Sequence, residues 1–365
     1  MTRPSPSHAL QTSPPSWQGL AGTERDQLLD IAKGVAILLV VIGHTIQARS
    51  SDFDNHPAFR FIYSFHMPLF ALLAGASAAF WIKKYNDTPS VRGLLVTSAS
   101  RLRRSAEHLL LPFITWTVLG HFLSGQPTPF TEYLWKVIVR PDHSLWFLPC
   151  IFWCTTYAVL SMLGMSALRL RLQNTRIASL SQVLQSPLVQ VLLMFLVWKL
   201  VSKAMPLQLG LVFANQFHGG LFGFFLLGIA VYAGFTSARS WWVRALPYLV
   251  FASLVAFWHR TAPYNLAEQA PAFLSGTGLR QHYALVVAIS GSLVFVDIAR
   301  ALASLRLDML TRPMLMMGSA SLGIYAVHFH FLDVMPPVIA PIVISLLVWH
   351  ASSLVPPLAR VLFGK

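Results

Sequence analysis

Three ionisable residues interrupt one apolar stretch, LLDIAKGVAILLVVIGHTIQA, over residues 28 to 48: Asp30, Lys33 and His44. An ionisable side chain inside a membrane span is costly and marks a candidate functional site. In a helix, the distance from Lys33 to His44 is three turns plus about 20°, which puts both side chains on one face roughly 16 Å apart along the axis. Asp30 precedes Lys33 by nearly one turn and shares that face. A neutral imidazole at the deep end can take a proton from a hydroxyl as a general base. It can equally be a packing histidine bonded to a neighbouring carbonyl. A polar stripe on a lipid-embedded helix must turn toward protein, a cavity or a partner charge, so this face reads as one wall of a site.

A second constellation is the arginine cluster Arg101, Arg103 and Arg104 in TSASRLRRSAEHLLLPF. Guanidinium forks bind phosphate bidentately, and juxtamembrane arginines also fix topology and bind anionic head groups. Tyr325 and His328, three residues apart, fall on one helix face, with His330 directed away from His328. The remaining histidines form no i, i+4 pair and no HExxH, so no metal is expected. Cys150 and Cys154 read as small packing residues, and no GxSxG elbow, Walker A loop or GxGxxG fingerprint is present.

The elements that must position these residues are membrane helices. Only 11% of the 365 residues are charged, against about 25% in a soluble domain, and the mean hydropathy is +0.59. The expected fold is therefore an all-α, polytopic transmembrane helix bundle. Apolar runs near 28–48, 59–82, from about 107, 145–165, 187–205, 218–235, 242–259, 281–299, 314–334 and 337–359 give about ten spans, each close to the ~20 residues a helix needs. Residues 83 to 104 read as a basic connection, and Gly219, Gly223 and Gly228 as small residues for close helix packing. Residues 1–24, rich in Pro and Ser, are expected to form a disordered cytoplasmic tail, and 25–365 a single membrane-embedded domain. The net charge of +14 serves orientation. With a cytoplasmic N-terminus, 19 of the 27 basic residues fall on the inner side, which the positive-inside rule favours and which makes both termini cytoplasmic. Without a basic stripe interleaved with aromatics, nucleic acid is not an expected partner. No internal repeat supports an inverted-repeat transporter.

The chain resembles the acyltransferase 3 family of membrane O-acyltransferases, in particular the branch of fucose 4-O-acetylases. That family's first helix carries an Asp, then an Arg or Lys, then a His, which Asp30, Lys33 and His44 match. Its Arg-x-x-Arg motif before the third span matches Arg101 and Arg104. FHMPLF followed by Gly75, LWFLP from Leu145 and SLGIYAVH ending at His328 are also typical. Lys33 stands where many members have Arg, and an ammonium does not reproduce a bidentate fork.

The resemblance implies acyl transfer from acyl-CoA, with acetyl-CoA the expected donor, to a sugar hydroxyl of a cell-surface or secreted glycan such as a polysaccharide. The setting would be the bacterial inner membrane. No cofactor is bound, because acyl-CoA is a co-substrate; the partners are acyl-CoA, a glycan or lipid-linked sugar acceptor, and membrane lipids. His44 would be base or transient acyl carrier, Lys33 and Asp30 would set the electrostatics of the mouth, and Arg101 and Arg104 would hold the CoA phosphates. His66 would bind the sugar or support His44, unless it is a structural residue at a proline-distorted helix end. Trp146 would stack on the sugar, unless it is an interfacial anchor. Tyr325 and His328 would face the cavity. The competing class is a proton-coupled transporter or lipid-linked glycan flippase. A proton relay calls for carboxylates deep in several spans, whereas Asp30, Glu107, Asp297 and Asp333 sit near span ends.

Overall fold

The computed structural model describes residues 26–123, 125, 128–139, 145–173, 175, 177–204, 215–232, 241–305 and 307–365; the tail expected over residues 1–24 lies outside them. The described elements are helical: α1 (Gln27–Arg49), α2 (Pro57–Tyr63), α3 (His66–Asp87), α4 (Val91–Ser105), α5 (Leu111–Leu123), α6 (Phe130–Val139), α7 (Phe147–Leu172), α8 (Ala178–Val183), α9 (Pro187–Ala204), α10 (Asn215–Tyr232), α11 (Trp241–Leu254), α12 (Thr277–Ser304), α13 (Asp308–Ser319), α14 (Ser321–Val327), α15 (Ile339–Ser353) and α16 (Pro356–Phe363), with short 3-10 turns between some of them. Five helical stretches are long and apolar enough to cross a membrane: Gln27–Arg49, Pro57–Asp87, Phe147–Leu172, Pro187–Ala204 and Gly278–Ser304. Gly220–Tyr232, Trp241–Phe257 and Ile339–Ser353 are apolar but shorter. The chain is a multi-pass, all-α membrane protein.

Two of the apolar runs are broken where the site is built. Pro68, in the first turn of α3, has no N–H to give to the carbonyl one turn back, and the second run divides at Ser64 and Phe65 into α2 and α3. The run at 314–334 divides at Ala320 into α13 and α14, then tightens into a 3-10 turn over His328–Phe331. The segment expected as a basic connection instead contains α4, which passes through a π-helical turn at Ala106–Leu110 into α5. Sequence hydropathy missed this helix because its mean composition is polar; its amphipathic face supplies the period.

Helix α1 starts at Asp26, whose side chain accepts from the Leu29 N–H at 3.1 Å, an N-cap of the usual kind. It packs against α3, α12, α13 and α14. Its contact with α13 is a backbone-to-backbone approach: a Cβ at Gly34 would overlap the Met314 carbonyl, and one at Gly318 the Asp30 carbonyl. Helices α3 and α10 meet in the same way, Gly75 on Phe225 and Gly228 on Leu72. Small residues let membrane helices approach this closely. Gly228 thus packs as expected, whereas no described atom lies within 4 Å of a Cβ added at Gly223.

Gly318→Leu is therefore expected to push α13 off α1. Overpacking typically costs about 1–3 kcal/mol, and here the obstacle is rigid backbone. The thermal midpoint of the detergent-solubilised protein should fall well below that of the wild type, with Gly223→Leu unchanged as the control.

At one end of the bundle the connections are tied together. Arg49 donates to the Leu332 and Val334 carbonyls at 3.1 and 3.4 Å, and Arg60 to the Trp258 and Ala256 carbonyls at 2.7 and 2.9 Å. At the other end Glu107 accepts from both Arg103 and Arg360, at 3.0 and 2.9 Å.

Candidate active site

Two cavities open along α1. The larger, about 900 Å³, is lined by His44, Gln47, Tyr63, His66, Trp116, Tyr133, Lys136, Trp146, Trp258, Arg260, Phe329 and His330, among others. The smaller, about 340 Å³, is lined by Asp30, Lys33, Phe70, Ser77, Arg101, Ser105, His108, Phe147, Ser319 and Ser321, among others. The polar residues of α1 thus face two chambers at its two ends. Met67 and Tyr325 line both.

His44 is oriented by a short relay. The Nδ1 of His328 lies 2.8 Å from the Ile324 carbonyl, and a carbonyl only accepts, so that nitrogen carries the proton. The Nε2 of His328 is then a bare acceptor, and it lies 2.8 Å from Nδ1 of His44. His44 therefore donates from Nδ1, which leaves its Nε2 as the basic nitrogen. The two rings are nearly parallel, 12° apart with centroids at 5.1 Å, and Phe329 lies against His44 with centroids at 4.4 Å. His328 is completely buried and lines neither cavity. It touches His44 rather than the space where an acceptor would sit.

The break before α3 positions the next group. It lets the first-turn His66 donate from Nδ1 to the Ile62 carbonyl at 3.1 Å, so its Nε2 is likewise the free acceptor. Tyr63 stands between the two imidazoles, with centroids 6.2 Å from His44 and 4.4 Å from His66. Its hydroxyl donates to Gln47 Oε1 at 2.9 Å. Gly43 makes room for it, since a Cβ there would come within 2.8 Å of the Tyr63 ring.

The mouth of this chamber is braced by Arg260, whose guanidinium holds Asp54 in a two-pronged contact at 2.6 and 2.9 Å. That contact draws the Asp54 carboxyl below its usual range. A carboxylate whose pKa is lowered by folding stabilises the fold above its unfolded pKa, and the contribution is lost as pH falls through the folded value. The pair is partly exposed, so it is worth less than about 1 kcal/mol.

In the smaller chamber the wall from α3 is one helical stripe, Met67, Phe70, Ala74 and Ser77, opposite Asp30 and Lys33. Asp30 is buried. Arg101 reaches this chamber from α4, its guanidinium 5.1 Å above the Trp81 ring. Arg104 is exposed and lines neither chamber. Of the residues singled out from sequence, Asp30, Lys33 and Arg101 converge on one chamber, His44, His66 and Trp146 on the other, and Tyr325 lines both.

The family profile described as an acyltransferase domain matches residues 26–363. The chain belongs to the acyltransferase 3 family. The family implies an acyltransferase, with an acyl donor and an acceptor. Among curated proteins it is similar to nodulation protein NolL of Mesorhizobium japonicum, 36% identical over 104 residues that make up 27% of this chain and 25% of the relative. It is also similar to NolL of Sinorhizobium fredii, 36% identical over 99 residues, 26% of this chain and 24% of the relative. The aligned part therefore spans about a quarter of the length of these relatives. No solved structure matches the chain.

In this acyltransferase 3 protein several chamber residues carry no sequence signal. Tyr63 ends the short helix α2, Trp258 and Arg260 come from the connection after α11, and Met67 looks like any apolar residue of a span. His330 was legible only as the residue opposite His328. It does lie on the other side, and that side is the chamber, where its ring is 5.8 Å from Trp116.

Proposed function

We propose that this protein transfers an acetyl group from acetyl-CoA to a sugar hydroxyl of a cell-surface or secreted glycan, or of its lipid-linked precursor, in the bacterial inner membrane. The observation that carries the reading is the relay from the Ile324 carbonyl through His328 to His44, which leaves a basic nitrogen on the wall of a chamber large enough for sugar units. Aromatic rings around it, Trp146, Trp258 and Tyr63, suit the faces of a sugar. The separate chamber with Lys33 and Arg101 suits a donor whose phosphates need cations. The basic-residue bias expected from the sequence, with both termini cytoplasmic, would put the Lys33 chamber on the cytoplasmic side, where acyl-CoA is found.

The chemistry balances without any other reagent. Nε2 of His44 takes the proton of the acceptor hydroxyl, and the oxygen attacks the thioester carbonyl. The tetrahedral intermediate collapses by breaking the carbon–sulfur bond, and the protonated His44 returns the proton to the leaving CoA thiolate. An ester and free CoA result. Lys33 and Arg101 would hold the donor, with Asp30 fixing the local charge; His66 and Trp146 would line the acceptor's path.

Arg101→Ala is expected to raise the KM for acetyl-CoA by about tenfold, the ~1.4 kcal/mol of one charge-assisted contact, while Arg104→Ala changes it less. Steady-state kinetics on membranes checks both, and equal effects would return the pair to topology signals. The function itself is tested by mass spectrometry of glycans from strains with and without the protein. An alkali-labile mass of one acetyl group should vanish with the protein. Glycan movement across vesicles without acyl-CoA, and with no ester formed, would instead mark the flippase.

A further inference from the structure

The two chambers meet at a shared stretch of wall. Between them stand Met67 of α3 and Tyr325 of α14, which line both. Resting on the reading above, the reacting carbonyl must pass this septum, because the cations that suit the donor lie on one side of it and the His44 base on the other. The group attached to that carbonyl, the acyl tail, must then lie against the septum itself.

The two septum residues differ in freedom. Tyr325 is fixed edge-on by Phe147, with centroids 6.1 Å apart and planes at 69°, and by Phe329 at 6.2 Å and 76°. Phe147 is braced in turn by Phe70 at 5.8 Å. Met67 is a half-buried thioether on the stripe shared with Phe70 and Ala74. An unbranched side chain with three rotatable bonds adapts to what lies beside it, and the rigid aromatic side does not.

We propose that Met67 is the residue that sets the size of the transferred acyl group, closing the septum over a two-carbon acyl unit and excluding longer ones. A donor with two more methylenes has to occupy the volume of the Met67 side chain, and each methylene in a shaped apolar pocket changes discrimination by roughly 10-fold or more. Met67→Ala removes the obstruction without touching the imidazole relay or the cationic chamber. Met67→Trp fills the passage.

The test uses membranes containing the full chain and endogenous glycan acceptor, supplied with radiolabelled acetyl-, propionyl- or butyryl-CoA, and reads alkali-labile label. Met67→Ala should raise the butyryl-to-acetyl rate ratio at least about tenfold. Met67→Val, which removes less volume and guards against a folding defect in the alanine variant, should raise it by about threefold. Met67→Trp should lower transfer from all three donors while the KM for acetyl-CoA stays within about twofold, since the cations that hold the donor are untouched. A ratio in both Met67→Ala and Met67→Val indistinguishable from wild type overturns the assignment. Wild-type membranes that transfer no acyl group from any of the three donors would instead refute the function on which it rests.

Discussion

His44→Ala is expected to abolish acyl transfer, with kcat falling by roughly 10³-fold or more, while acetyl-CoA binding is unchanged. General-base catalysis by a positioned imidazole contributes about 10²–10⁴ in rate, and no other described group combines a free basic nitrogen with the His328 relay. The donor's cations, Lys33 and Arg101, line the other chamber, and Lys33 sits about 16 Å away along α1, so KM for acetyl-CoA should not move. Nor should insertion fail, because His44 is half-buried at a chamber wall and the packing of α1 on α13 rests on Gly34 and Gly318. Loss of kcat with retained donor KM and an unchanged thermal midpoint is the expected pattern. Full activity in the variant would remove His44 from the mechanism. Acetyl label bound to wild-type His44 after acid quench, recovered by peptide mass spectrometry, would make the imidazole a carrier and the reaction two-step.

How much of this was legible in the chain differs from residue to residue. Asp30, Lys33 and His44 could be placed on one helix, because the 3.6-residue period and the cost of charge in lipid are local properties. That they serve two chambers could not be read, since the septum is made by Met67 and Tyr325, which come from other helices. Of the two helix breaks that shape the site, only the first was half visible. Pro68 announces a distortion, but its direction, which turns His66 onto the Ile62 carbonyl, is set by tertiary packing. The break at Ala320 has no such marker. The segment before the third span was read as a connection because α4 is polar on average, although its Arg101 belongs to the smaller chamber. Hydropathy alone weighs composition, and an amphipathic helix lying beside the bundle hides from it.

His328→Leu is expected to lose nearly as much activity as the His44 variant, although His328 is not in contact with either chamber. It is a positioning residue: its Nε2 accepts the Nδ1 proton of His44 and so holds the other nitrogen bare. Removing the group that fixes the imidazole tautomer costs about 10⁴-fold in the serine-protease triad. A neutral partner in place of a carboxylate makes roughly 10²–10³-fold the expected loss here. His328→Gln discriminates this role from mere packing. A glutamine carbonyl oxygen can occupy nearly the place of the imidazole Nε2 and accept the same proton, so this variant should recover most of the lost kcat, to within about tenfold of wild type. Leucine fills similar space without an acceptor, and it leaves the Nδ1 proton of His44 unsatisfied in a buried setting, which also favours ring flips that turn the wrong nitrogen to the chamber. If packing were the whole role of His328, leucine and glutamine would behave alike. The relay requires that glutamine retain activity and leucine lose it, with donor KM and thermal midpoint close together in the two.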